Sequence, residues 1–223
     1  MATNLIETVK SSFTPDVVDR ASARLGESPE GIRKAVDGGV PMVFAGLVYR
    51  SEHGGANALL SDAHQAANHH LPGSPATLFT GASNEMATGN GWANGLFGGA
   101  FTAITKSLAS FAGIKTASAN TLLNLLTPLS LRAVGDHALE NNFTDGGLSA
   151  FLSEQKSSIA AALPAGTSMG RLFEEGGDHA AFATVRGHVP LTAERPLRVV
   201  PSTIWWVLLV IAVLGIIAYL VGR

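Results

Sequence analysis

Cysteine is missing altogether from the 223 residues. Its absence removes disulfides, thiolate metal centres and a cysteine nucleophile, and fits a cytosolic or a bacterial envelope protein. Charge is scarce as well: Asp, Glu, Lys and Arg together make up 14% of the chain. None of it forms a basic excess. Residues 1–70 carry six Lys/Arg against eight Asp/Glu, residues 100–165 carry four of each, and the formal net charge is -2. Without a positive field the chain has no nucleic-acid footprint, and the helix-turn-helix-like stretch 15–37 is itself acidic in balance. Strand signals are nearly absent too, because valine and isoleucine do not alternate with polar residues over any long run.

Motifs of chemistry are equally sparse. The chain lacks Gly-x-Ser-x-Gly, a Gly-x4-Gly-Lys phosphate loop and His-Glu-x-x-His. Gly89-Asn90-Gly91 begins like a dinucleotide fingerprint, but Asn94 stands where the third glycine belongs. His53, His64, His69 and His70 lie near Glu52 and Asp62. His64 and His69 are five apart, and neighbouring His69 and His70 diverge on a helix, so the group reads as solvated polar residues at a helix end and not as a zinc site. Asn142-Phe143-Thr144 fits a glycosylation acceptor only formally. The expectation is a protein with no catalytic residues, no cofactor and no metal.

What is there begins at the other end of the chain. Ile204 to Val221 contains no charge, opens on Trp205 and Trp206 and closes near Tyr219. As a helix its eighteen residues span roughly 27 Å, close to the ~30 Å of bilayer hydrocarbon. Indole and phenol rings favour the headgroup level at both ends. Residues 203–223 therefore read as a transmembrane anchor, with membrane lipid as a partner. Arg186, Arg195 and Arg198 precede the span and only Arg223 follows it. That bias places the N-terminal side in the cytoplasm, and the start of the chain lacks the basic and apolar runs of a secretory leader. The expected location is the bacterial inner (cytoplasmic) membrane, single-pass and tail-anchored.

With 46% hydrophobic residues, the part before the anchor can build a real core. It shows signs of duplication. Gly26 precedes Pro41 by fifteen residues, and Gly113 precedes Pro128 by fifteen, an offset of 87. The run Gly54 to Ser61 matches Gly146 to Ser153 at five of eight positions, at an offset of 92. The expected fold is all-α, with two similar multi-helix units and one transmembrane helix. Residues 1–71 form the first unit, 72–99 a Gly/Ser/Asn-rich linker, 100–165 the second unit and 166–202 an extended tether with one short helix around Arg171–Glu175. Within the first unit Thr14-Pro15 opens a helix that Gly26 ends, and Ser28-Pro29 opens another that Gly38-Gly39 stops. Pro41 opens a third and Gly54-Gly55 precedes a fourth. In the second unit Thr116 caps a helix, and Pro128 opens the next.

The second unit also carries a family likeness. Thr116 to Pro128 (TASANTLLNLLTP), Gly146-Gly147-Leu148 and Ala161-Ala162-Leu163-Pro164 resemble the YidB-like family, a bacterial domain of unknown function (DUF937), and the first unit fits the same pattern more loosely. The resemblance covers most of residues 5–165 and implies an all-helical fold with no established activity. Some relatives look like a similar helical part joined through a membrane span to an OmpA-like, peptidoglycan-binding domain. No such domain follows the span here.

Two surfaces are candidates for contact. Gly91, Gly95 and Gly99 recur every fourth residue among Trp92, Leu96 and Phe97, a spacing that lets helices approach closely, in competition with a plain glycine-rich hinge. Leu122, Leu123, Leu125, Leu126, Leu129 and Leu131 are denser than one buried stripe requires. Leu122, Leu126 and Leu131 are accordingly expected on an interaction surface, with core filling as the alternative. The function these features suggest is a membrane-anchored helical scaffold that binds a protein partner or copies of itself. The alternative is an envelope-linking protein.

Overall fold

The computed structural model describes residues 4–68, 83–165 and 167–174. The expected anchor, with Trp205, Trp206 and Tyr219, lies outside the described residues, as do His69 and His70. All regular structure among the described residues is helical, in the order α1 (Leu5–Ser11), α2 (Pro15–Leu25), α3 (Pro29–Arg50), α4 (Ala56–Asn68), α5 (Ser83–Phe97), α6 (Phe101–Ala112), α7 (Thr116–Glu140), α8 (Asp145–Ala162) and α9 (Met169–Glu174). None of these helices is long and apolar enough to cross a membrane.

Local chemistry sets many of the boundaries. Pro15 and Pro29 sit in the first turns of α2 and α3, where a missing N–H costs nothing, and the Ser28 hydroxyl accepts from the Gly31 N–H. α2 ends at Gly26 with φ 64 and α6 at Gly113 with φ 67, the left-handed conformation that glycine adopts without strain. Thr144 caps α8 by accepting from the Gly147 N–H. Between α3 and α4 the chain kinks through Ser51–Gly55, where His53 has φ -103 and Gly54 φ 82.

α3 and α7 form the centre. α7 packs against α1, α3, α4, α5 and α6, while α3 packs against α1, α2, α5, α6, α7 and α8. Every residue from Gly38 to Val48 is buried, and so is every residue from Leu122 to Pro128. A helix surrounded on all sides is apolar all round, so neither has the polar face of a surface helix. The helices of both expected units contribute to one core.

Three expectations about elements are corrected. Pro41 and Pro128 do not open helices. Each lies at the thirteenth residue of a continuous one, counted from Pro29 and from Thr116. The dense packing around α3 and α7 holds the helix together across a residue that removes one backbone bond. Gly38-Gly39 likewise stops nothing. It lets neighbours in, since a Cβ at Gly39 would lie 2.6 Å from Leu126 Cδ1 and one at Gly38 2.7 Å from Phe111 Cε1. Lastly, the linker 72–99 is not simply a linker. Ser83–Phe97 is helical, and Ala93, Leu96 and Phe97 are buried in the core. Its apolar residues outweigh the low helix propensity of its glycines.

Candidate functional site

Two corners of the bundle join elements through buried or partly buried polar contacts. At the first, Arg50 at the end of α3 meets Asp62 on α4 at 2.9 Å, with side chains 10% and 25% exposed. The Arg50 stem lies over Gly55, where an added Cβ would be 2.6 Å from Arg50 Cγ. Burial pushes the Asp62 carboxyl above its usual range, against the opposite pull of the Arg50 charge. Next along the chain the Ser51 hydroxyl donates to the Ser149 hydroxyl on α8 at 2.9 Å. Lys156 of α8 reaches both carboxylate oxygens of Glu52, at 2.9 and 3.0 Å. Three consecutive residues thus tie the kink to α4 and α8.

An aromatic ladder continues from this corner. His53 Nδ1 is 2.7 Å from the Tyr49 carbonyl, which can only accept, so Nδ1 carries the proton. The His53 ring stacks on Tyr49 at 4.0 Å, and Phe173 of α9 stacks on Tyr49 at 4.3 Å with 11° between planes. Phe97 lies 6.3 Å from Phe173, and Phe101 6.1 Å from Phe97. A second aromatic group joins His137 to Phe143 and Phe151 where α7 turns into α8.

The other polar corner is at the start of α7. Lys115, its N-cap residue, offers no side-chain cap of its own. Glu27, at the α2–α3 turn, supplies one from 88 residues away: Oε1 accepts from the Lys115 N–H at 3.0 Å and from the Ser118 hydroxyl at 2.6 Å. The Lys115 ammonium donates to the Gly26 carbonyl at 3.1 Å. The Ser118 hydrogen bond, helped by the Lys115 N–H and charge, outweighs desolvation and holds the Glu27 carboxyl below its ordinary range.

These ionisable groups are spent on holding helices to one another. Among the described residues no group of three or more His, Asp or Glu could hold a metal. His64 lines a shallow groove of about 460 Å³ with Asn57, Leu60, Ser61, Gln65 and Asn68, all on α4.

The sequence-predicted surfaces fall differently from expectation. Leu122, Leu126 and Leu131 are 0%, 0% and 2% exposed. They fill the core and do not form an interaction surface, because α7 has neighbours on every side and uses leucines all round. Gly91 and Gly95 have open space where a Cβ would go, and Gly99 is exposed. The close approaches are made instead by Gly89, whose Cβ would collide with the Asn124 carbonyl oxygen, and by Gly135, whose Cβ would collide with that of Ala63. Tyr49, Phe173 and Glu27 were not singled out by the sequence. The contacts Glu27–Ser118 and Tyr49–Phe173 join residues far apart along the chain, which no local pattern marks.

The arrangement defines a class: an all-helical bundle wound about two buried, proline-bearing helices, with some of its ion pairs joining one element to another. The family model described as bacterial protein of unknown function (DUF937) matches residues 7–137, and the chain belongs to that family. The match ends inside α7. No curated protein and no solved structure matches the chain.

Proposed function

We propose that this chain is a membrane-anchored helical scaffold or adaptor that acts through a protein partner or self-association, without catalysis of its own. One observation carries the reading. A tightly packed helical unit, in which ion pairs such as Arg50–Asp62 and Lys156–Glu52 join one element to another, is followed in sequence by the charge-free, aromatic-ended run Ile204–Val221. Such a run has the length and composition of a membrane span. The arginines ahead of it favour a bacterial inner-membrane location with the helical unit in the cytoplasm. An envelope-linking role is the second reading, supported by the family resemblance to helical domains joined to OmpA-like domains.

The internal repeat belongs to this proposal. Under the offset of 87, Gly26 corresponds to Gly113, and both end a helix in the left-handed conformation. Pro41 corresponds to Pro128, and both occupy the thirteenth position of a central helix. The contact between Glu27 and Ser118 has as its counterpart one between Ile114 and Gly31, where a Cβ on Gly31 would sit 2.7 Å from Ile114 Cγ2. This reciprocity supports two related halves arranged about an approximate twofold.

Deleting residues 203–223 tests the anchor. The truncated chain is expected in the soluble fraction, while the full chain resists carbonate extraction. A truncated chain that stays with membranes refutes the reading.

A further inference from the structure

The last helix of each half lies along the other half. α1 to α4 make up the first half, and α5 to α8 the second. α4 packs along α7 and against α8, with little contact to its own α3 beyond the Arg50–Asp62 pair. α8 packs along α3 and against α4, with little contact to its own α7 beyond the rings of His137 and Phe151. Near the start of α8, Ser149 accepts from Ser51. Just past its end, Pro164 lies beside Gly38, where a Cβ would be 3.1 Å from Pro164 Cγ. α8 therefore runs antiparallel to α3. The approach of α4 to α7 is closer still. Gly135 brings the α7 backbone against the Ala63 carbonyl, and a Cβ there would lie 3.0 Å from Ala67 Cβ. Leu59, Ala63 and Ala66 are the buried residues of α4.

Neither half encloses its own central helix. Every residue of α3 from Gly38 to Val48 is buried, and α6, α7 and α8 of the second half supply much of the cover. α7 is covered in turn by α1, α3 and α4 of the first half. Either half alone would show water an apolar face along its longest helix. A chain of about 70 residues rarely builds enough core to tolerate that.

We infer that the two halves are each other's obligate partners, interlocked by exchanged last helices, and that the pairing is heterotypic: the α7 face around Gly135 takes the alanine face of α4, and not a second copy of its own half. The interlock follows from the contacts, and the specificity rests on the repeat proposed above. At the offset of 87, Gly135 corresponds to Val48. Two first halves would therefore press the Val48 side chain where even a Cβ collides with the Ala63 carbonyl. At the offset of 92, Ala63 and Ala67 correspond to Gln155 and Ile159. Two second halves would bring these larger side chains to the place where the backbones touch. The chain is in effect a dimer of unlike halves, joined covalently through residues 69–82.

The test uses the full chain in detergent, with a protease site placed between Asn68 and Ser83 and cut after folding. The two fragments should stay together one to one, with the helical circular dichroism unchanged. Unfolding of the cut chain also separates its fragments. Its urea midpoint should therefore rise with protein concentration, the folded-to-unfolded ratio growing about tenfold for each tenfold increase, while that of the uncut chain stays fixed. Fragments that separate, or a midpoint independent of concentration, overturn the interlock. After unfolding and refolding, native mass spectrometry should again find the mixed pair, and homodimers of either fragment overturn the heterotypic pairing. Hydrogen exchange on the wild-type chain needs neither the site nor the cut. The slowest amides of α3, α4, α7 and α8 should open together, and one half that exchanges while the other stays protected overturns the obligate partnership. These outcomes are separable from the repeat. A cut chain that holds together, although residues 14–62 and 101–154 do not superpose in a crystal structure, supports the interlock and overturns its specificity argument. Fragments that separate while those segments do superpose overturn the interlock and leave the repeat standing.

Discussion

Replacing Glu27 tests whether the two ends of the chain's helical unit are joined by a borrowed helix cap. Its carboxylate, on a side chain 9% exposed, stands over the first turn of α7. It accepts from the Lys115 N–H, one of the four donors a helix start leaves unmatched, and from Ser118 two residues into the helix after Thr116. A capping side chain contributes about 0.5–2 kcal/mol, and a negative charge at a helix start adds about 0.3–1 kcal/mol. Glu27→Ala removes both, so a loss of about 2 kcal/mol is expected. Glu27→Gln keeps an acceptor but loses the charge, for about 1 kcal/mol. For a unit of this size that is a fall in melting temperature of about 4–8 °C and about 2–4 °C respectively.

The pH dependence follows from the direction of the shift. The Ser118 hydrogen bond, then the Lys115 N–H and ammonium, hold the folded carboxyl below its ordinary value of 4.5. A lowered folded pKa means stability that is fully present above the unfolded value and lost as pH falls through the folded one. The gap between wild type and Glu27→Ala should therefore be constant near neutral pH and close below about pH 4.5. Urea unfolding at several pH values, followed by helical circular dichroism, measures it. If Glu27→Ala matches wild type at pH 7, or if the gap does not close on acidification, the cap across 88 residues is not a stabilising contact.

Asp62→Ala leaves the buried Arg50 charge without its partner, and a loss of about 2–3 kcal/mol in urea unfolding is expected. Because burial raises the folded Asp62 pKa, wild type gains relative to the variant as pH falls through it, so this penalty should widen with acid where that of Glu27 narrows. Gly135→Ala drives a methyl into the Ala63 carbonyl and should cost more than about 3 kcal/mol, whereas Gly91→Ala meets open space and should stabilise by about 0.5–1 kcal/mol through helix propensity, seen as a slightly higher melting temperature. Leu126→Ala, at a side chain 0% exposed, should cost about 2–5 kcal/mol, and Leu126→Asp should abolish the cooperative thermal transition seen by circular dichroism.

Helix identity was legible where a boundary is written in local chemistry. Pro15, Pro29 and Gly26 act within one turn of themselves, so the two ends of α2 and the start of α3 could be read directly. The interiors of α3 and α7 could not. Pro41 and Pro128 carry the same local signal as Pro15, and only the packing of neighbours on all sides keeps the helix continuous through them. The same packing decides the leucines. Six in ten positions along α7 look excessive for one stripe, and the excess is absorbed by helices on every face. Direct site chemistry was the least legible. Glu27 and Tyr49 each have a partner, Ser118 and Phe173, that no local window contains.

The prolines and glycines of the centre act together. Pro128 has no N–H, so the Asn124 carbonyl one turn earlier loses its helical donor. That carbonyl is where Gly89 of α5 comes closest, too close for any Cβ. A carbonyl released by proline is free to turn toward a neighbour, and a residue with no side chain can bring its backbone against it. α5 is thereby set against the proline of α7 by a contact that alanine would forbid. The glycine-rich composition that reads as a linker is, at Gly89, the requirement for a backbone to reach the core. On the proposed repeat, Pro41 would leave the Asp37 carbonyl in the corresponding position of α3. Asp37 is exposed, and the Lys10 ammonium of α1 lies 3.7 Å from its carboxylate. The two central helices thus share a proline and an orphaned carbonyl, but one carbonyl is covered by a glycine helix and the other belongs to a solvated residue. Related halves need not have identical surroundings. The difference falls where the backbone of α5 meets that of α7 at Gly89.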